Sequence, residues 1–496
     1  MNSSPPPPSV RTRKNVSTLG HAGDDLFWYG RAVAELQSRP VTDPTSWRYL
    51  SAVHGYDRSS DPNPVNVPFP SSAQQEQFWN QCQHQSWFFE PWHRAYLVCF
   101  EQIVAAAVAK LGGPADWALP YWNYSAPGNN NAARLLPAAF VSPQLADHSR
   151  NPLWVAGRNS PTANFHIPDA DVSLHALADP VFTGGSTGGH PGFGGPKTIF
   201  SHSGGTNGGI EDVPHNQIHD DIGGLMGDPD TAALDPIFWL HHANIDRLWE
   251  VWRHRNAGFV NPTDPDWLNK ISFELHGAAG TVLTFKPSQV VDTTKLLHGY
   301  RYDDISDPLA AHVAAAAAAM TAGPQPQPEL VGASAPIVLD SAASTAAVAF
   351  RPQAAQTARA RTSALRPTRT FLNLENVTGT GRLPRYDVYI DVVTPAQASP
   401  AQTSPAQTLP PQPTGGGPGL FAGSLSTFGV QKATRPGGPH GGSGITTVLD
   451  ITDLVEQLRR EQRWDESGLQ VTFVRRGQQS APTSNLQVGR VSVYYG

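Results

Sequence analysis

Cysteine is nearly absent: Cys82 and Cys99 are the only two in 496 residues, too few for a disulfide framework. No block of lysine and arginine offers a surface for nucleic acid, and a net charge of -6 points to no partner. No apolar run is long enough to span a bilayer, since the longest low-polarity stretch, LAAHVAAAAAAMTAG, is mostly alanine. The first residues, MNSSPPPPSVRTRKNV, lack the hydrophobic stretch of a secretory signal. These absences point to a cytoplasmic protein without nucleic-acid or membrane partners, with helper-assisted export as the alternative. They leave open a homo-oligomer and a partner that delivers metal.

Histidine and tryptophan, by contrast, are abundant, at 18 and 13. Residues 1–305 read as one mainly α-helical unit whose helical stretches are separated by long Gly/Pro/Asn-rich loops. Residues 306–366 shift to Ala, Pro, Gln and Ser, the composition of a linker. Residues 367–496 carry short segments alternating at the strand period, such as RYDVYIDVV and LQVTFVRR, and are expected to form a β-sandwich. Within them, residues 394–418 are a low-complexity loop.

The histidines gather around two motifs. In HQSWFFEPWHR, Pro91 suits the first turn of a helix that His93 joins, which leaves His84 on the loop before it. His54 ends the helical run TSWRYLSAVH, and Gly55 stops it. In EDVPHNQIHDDIGG, Pro214 is expected to start a short helix carrying His215 and His219 on one face, four residues apart. In LDPIFWLHHANIDRLWEVW, Asp235 and Pro236 open a helix whose phase aligns Phe238, His242, Ile245, Asp246 and Trp249, with His241 about 100° away.

A lone histidine on an apolar face is usually a hydrogen-bonded core residue. Two aromatic-lined clusters are hard to explain that way, and metal binding is the better reading. Imidazole ligands without a carboxylate favour copper, with zinc open on ligand type. A zinc hydrolase of the HExxH type would place glutamate where HNQIH has asparagine. Two facing all-imidazole sites suit a pair of copper ions reacting with O2.

HQSWFFEPWHR and DPIFWLHHANIDRLW resemble the two copper signatures of the type-3 copper proteins: tyrosinases, catechol oxidases and molluscan haemocyanins. The resemblance implies a four-helix bundle around a dicopper site, with His54, His84 and His93 on one ion and His215, His219 and His242 on the other. His241 would not be a ligand. It implies phenolic small molecules as substrates, and a tyrosinase that hydroxylates monophenols and oxidises o-diphenols to o-quinones. A catechol oxidase lacking the first activity, an O2 carrier and a zinc hydrolase are the alternatives.

The same resemblance assigns further roles. Cys82 would form a thioether to His84, against a free buried thiol or a Cys82–Cys99 disulfide. Glu211 would hold a water that Asn216 helps polarise, making a base for the phenol proton; the plainer reading of Glu211 is a carboxylate at a helix start. Arg13, in VRTRKN, would stack on Tyr300 or Tyr302, in GYRYDD, as a clasp between the ends of the core, against an ordinary surface arginine. Asp246 would either orient a histidine ring or pair with Arg94 or Arg247, and Phe238 would pack over the metal cage. The β-domain would shield the site, with Phe421 read first as a core residue and second as a plug.

Overall fold

The computed structural model describes residues 10–21, 23–62, 68–126, 131–159, 166–185, 188–200, 205–310, 328–351, 369–392, 419–436, 442–477 and 485–496. The low-complexity loop expected at 394–418 lies outside them. The chain divides into two compact units. The first comprises Met1–Thr183, Gly192–Phe200 and Gly208–Ala316; the second comprises Gly184–Pro191, Ser201–Asn207 and Ala317–Gly496.

Six helices frame the first unit: α1 (Asp25–Ser38), α2 (Trp47–His54), α3 (Ser72–Phe78), α4 (Phe89–Lys110), α5 (Gln217–Ile222) and α6 (Pro236–His254). Long irregular connections with short single turns fill much of the remainder, so helix is a smaller part than the sequence suggested. α4 and α6 are its spine and are buried on nearly every face. Trp239 of α6 stacks on Phe100 of α4 with ring centroids 3.4 Å apart.

Local chemistry sets where the histidine-bearing helices start and stop. Ser46 caps α2 by accepting from the Tyr49 N–H. At its far end, a Cβ on Gly55 would lie 2.3 Å from the Pro229 carbonyl oxygen, so only glycine allows that approach. Pro91 falls in the first turn of α4, where its missing N–H costs nothing. Asp235 caps α6 with Pro236 in its first turn, as expected. α5 begins at Gln217 rather than at Pro214, because residues Glu211–Asn216 form a wide turn with Val213 in extended conformation. It ends at Gly223, whose φ of +61° suits glycine.

Five short strands precede the main sheet: β1 (Arg11–Arg13), β2 (Gly205–Thr206), β3 (Phe273–His276), β4 (Val282–Phe285) and β5 (Tyr300–Tyr302). β1 and β5 pair in parallel, with Arg13 opposite Tyr302, which joins the two sequence ends of the first unit.

The second unit adds β6 (Glu329–Ala333), β7 (Ile337–Val338), β8 (Ala343–Phe350), β9 (Thr370–Thr378) and β10 (Tyr386–Val392). β11 (Leu420–Leu425), β12 (Ile445–Asp450), β13 (Gly468–Arg475) and β14 (Gln487–Tyr495) complete it. The hydrogen-bonded order β11-β10-β13-β8-β6-β14-β9-β12-β2, with β7 beside β14, is one continuous ten-stranded sheet. The expected β-sandwich is therefore replaced by a single sheet around one core that includes Val348, Leu372, Val388, Val471 and Val493.

Residues 329–350, expected to be linker, supply three of these strands. Alanine-rich ASTAAVAF reads as linker by composition. Its side chains alternate in burial as β8, and pairing with β13 and β6 overrides weak local preference. β2 comes from far upstream and pairs in parallel with the start of β12. Phe421 lies on β11, 38% exposed and edge-on to Tyr389, so it is not the core residue expected.

Candidate metal centre

The histidines meet. His54, His84 and His93, with Cys82, bring one potential ligand atom each to within 4.8 Å of one another, and so do His215, His219, His241 and His242. Neither cluster contains a carboxylate. The two clusters are in contact: His93 stacks on His242 with centroids 4.6 Å apart, and His84 lies 5.7 Å from His215. The seven rings come from six pieces of chain: the end of α2, the loop before α4, α4 itself, the turn before α5, α5, and α6, which supplies both His241 and His242.

Hydrogen bonds show which nitrogen points inward in four of the rings. His54 Nδ1 lies 2.9 Å from the Pro229 carbonyl, His93 Nδ1 2.8 Å from that of Phe89, and His219 Nδ1 2.8 Å from that of Met226. His215 Nδ1 lies 2.8 Å from Asn216 Oδ1. All four partners are pure acceptors, so each Nδ1 carries the proton and each Nε2 presents a lone pair. His219 Nε2 and His242 Nε2 stand 3.3 Å apart. Inward-facing lone pairs at that spacing repel unless a cation or a proton lies among them.

The rings are also held neutral. Burial, reinforced by neighbouring histidines, lowers His93, His219 and His242 well below the ordinary range, and burial alone outweighs the bonds of His215 and takes it to about 3. Neutral imidazole is the form that binds metal. Phe238 seals the assembly, with its ring 4.0 Å from His242 and 4.9 Å from His54. These residues fit a pair of metal ions.

The profile described as "Common central domain of tyrosinase" matches residues 44–192 and 186–255, and a domain of unknown function (DUF7868) matches residues 327–496. Tyrosinase HcTyr1 from Hahella sp. (strain CCB-MM4) is 37% identical over 504 residues, covering 98% of this chain and 99% of the relative. This chain belongs to the tyrosinase family. A chloroplastic polyphenol oxidase from Malus domestica is 28% identical over 61% of this chain and half of its own length. The solved structure of latent apple tyrosinase has the same fold, with a TM-score of 0.61 at 22% identity over 99% of this chain and 98% of its own. The cofactor is accordingly a type-3 pair of copper ions, and the chain is a copper oxidase of the tyrosinase and polyphenol oxidase class.

In this tyrosinase-family site, the other residues singled out from sequence fall into place differently. Cys82 Sγ lies 3.5 Å from His84 Nδ1 and 3.6 Å from His84 Nε2, so it faces the ring carbon between them. Its distance to His93 Nε2 is 3.3 Å. Cys99 is buried and apart, with burial pushing its thiol above the ordinary range. No disulfide joins the two cysteines.

Glu211 is fully buried and accepts from the Gln85 backbone N–H at 2.8 and 2.9 Å. Burial outweighs the N–H donors of Gln85 and Gly208 and pushes its carboxyl up to about 8. Asn216 accepts from His215 Nδ1 through its Oδ1, which leaves its Nδ2 amino group for other partners. His241 stacks on His215 at 5.3 Å, and its Nδ1 lies 3.1 Å from the Tyr124 hydroxyl.

Asp246 orients no histidine. Its carboxylate takes Arg94 Nε at 2.5 Å, Arg13 Nη1 at 3.1 Å, Tyr300 Oη at 2.6 Å and Tyr302 Oη at 2.5 Å. It lies one turn beyond His242 on the same face of α6, where these four donors take its oxygens, and Arg247 turns to Asn244, Asn123 and the Asp304 carbonyl. The guanidinium carbon of Arg13 sits 3.7 Å above the Tyr300 centroid, and Glu101 takes its other edge. Glu101, Gln85, Tyr124 and the carbonyls of Pro229, Phe89 and Met226 were not visible from sequence. The three carbonyls are backbone atoms and leave no side-chain signal.

Proposed function

We propose that this enzyme is a tyrosinase in the full sense, hydroxylating monophenols beside the existing hydroxyl and oxidising the catechols to o-quinones. His54, His84 and His93 hold one copper, and His215, His219 and His242 the other. The Nδ1–H tautomers at four of these rings support that assignment. Copper, when bound, supplies O2 activation and electron transfer.

The protein supplies the rest. Monophenol chemistry starts with loss of a phenolic proton whose pKa is near 10. A carboxyl pushed up to about 8 is a far better acceptor for it than an ordinary carboxylate. Glu211 is that base, and its burial beside Gln85 and His84 is the observation that carries the reading.

Glu211→Gln is expected to lower monophenol turnover more than catechol turnover; equal losses would remove the role. A second signature needs no copper. The folded metal-free protein keeps a proton on Glu211 that the unfolded chain releases near pH 4.5, so stability falls as pH rises from there through about 8. Unfolding curves of Glu211→Gln should lack that component. The competing reading is a catechol oxidase without the first activity, which equal losses on both substrates would favour.

The placement of Cys82 Sγ opposite the ring edge of His84 supports a thioether between them. Forming that C–S bond removes two hydrogens and two electrons, which copper and O2 can accept. Intact mass of copper-treated protein is expected to be lighter by two hydrogens, with only Cys99 titrating as a thiol after unfolding. Two titratable thiols in the treated protein would rule the bond out.

A further inference from the structure

We propose that Gln85 is a positioning residue: it aims the Glu211 carboxylate and so sets how far hydroxylation of monophenols is favoured over oxidation of catechols. The inference rests on the reading of Glu211 as the base.

Gln85 follows His84 directly, and its φ of +50° lies in the left-handed region that residues other than glycine rarely adopt. That conformation has a visible result. The backbone N–H points between the two oxygens of Glu211, at 2.8 and 2.9 Å, while the side-chain Nε2 reaches Oε1 at 3.3 Å. A donor shared by both oxygens fixes the direction of the carboxylate but not its twist. The off-axis amide distinguishes one oxygen from the other and fixes the twist. The bonded partners of Glu211 are neutral amides, from Gln85 and Gly208. They orient the carboxylate without neutralising it, as an arginine would. Both residues are at least 95% buried, so water competes weakly for these bonds.

The geometry also explains why glutamine stands there despite the strained backbone. Glycine would suit the φ but has no amide to offer, and leucine would have neither advantage. Strain held at one residue beside a reacting centre is a recurring feature of functional sites.

The test uses the full-length copper-loaded protein with one monophenol and its catechol, in Gln85→Leu, Gln85→Gly and Gln85→Asn, each with and without Glu211→Gln. Gln85→Leu is expected to lower the monophenol-to-catechol turnover ratio about five-fold, the factor one buried neutral hydrogen bond is worth. The loss should fall in kcat rather than KM. Gln85→Gly relieves the backbone strain, so it folds even if leucine disturbs the loop, and should show the same loss. Gln85→Asn tolerates the backbone and keeps an amide, and should recover part of it. In the Glu211→Gln background none of the three should change the ratio further. Melting of the metal-free proteins should show the same non-additivity between positions 85 and 211. If Glu211→Gln lowers the ratio while Gln85 variants leave it unchanged or act additively, the inference about Gln85 is overturned. If Glu211→Gln leaves the ratio unchanged, the reading of Glu211 fails and takes this inference with it.

Discussion

Replacing His242 with alanine is expected to leave a protein that folds but retains one copper per chain instead of two, with oxidase activity lowered more than about 100-fold. Losing a hydrogen bond behind a metal ligand already costs roughly 10–100-fold in affinity or activity, and losing the ligand costs more. The contrast with its neighbour makes the test specific. His242 presents Nε2 towards His219 Nε2 at 3.3 Å and stacks on His93 across the interface of the two clusters. His241 stacks on His215 and bonds to Tyr124. The proposed ligand set leaves His241 out, so His241→Asn is expected to keep two coppers. Metal analysis of both variants, with the near-ultraviolet absorption of the oxygenated protein, decides between them. Two coppers in His242→Ala, or one in His241→Asn, would reverse the assignment.

Asp246→Ala is expected to cost about 3–5 kcal/mol, the range for removing one member of a buried ion pair. The carboxylate is 2% exposed and receives two arginines and two tyrosine hydroxyls. Burial alone would raise its pKa, but Arg94 and Arg13 outweigh that and hold it ionised, below the ordinary range. Without it, Arg13 keeps Glu101, Arg94 keeps Glu250 and Tyr302 keeps the Ala243 carbonyl, while the Tyr300 hydroxyl loses its acceptor. The effect reaches both sequence ends of the unit, because Arg13 lies on β1 and the tyrosines on β5. For a domain of this size the apparent melting temperature should drop by roughly 10 °C. A drop of under about 2 °C would show that the cluster is not a keystone of the fold. Since no histidine ring bonds to Asp246, whatever protein folds is expected still to bind two coppers.

The sequence carried most of the site. Four-residue spacing brought His215 and His219 together, and the two motifs marked the histidines that gather. Capping chemistry located the end of α2 and the start of α6, and the two long motifs named the family that the relatives then showed. These signals are local: each is written in a handful of adjacent residues and survives without tertiary context. The errors were of another kind. Composition alone made residues 329–350 a linker, because alanine-rich strands gain their identity from the strands beside them. Asp246 was offered to a histidine, or to Arg94 or Arg247; it pairs with Arg94, and its further partner Arg13, 233 residues away, was not foreseen.

What only the folded chain could decide was the direction of the chemistry within each side chain. The proton on His54 sits on Nδ1 because the Pro229 carbonyl, 175 residues distant, accepts it. The carboxyl of Glu211 is raised because burial, and an amide 126 residues away in place of a cation, surround it. Residue type and spacing can identify ligands, since a ligand is a property of the side chain. Tautomer, basicity and aim depend on neighbours brought by other parts of the chain, often backbone atoms that every residue possesses, and these exist only after folding.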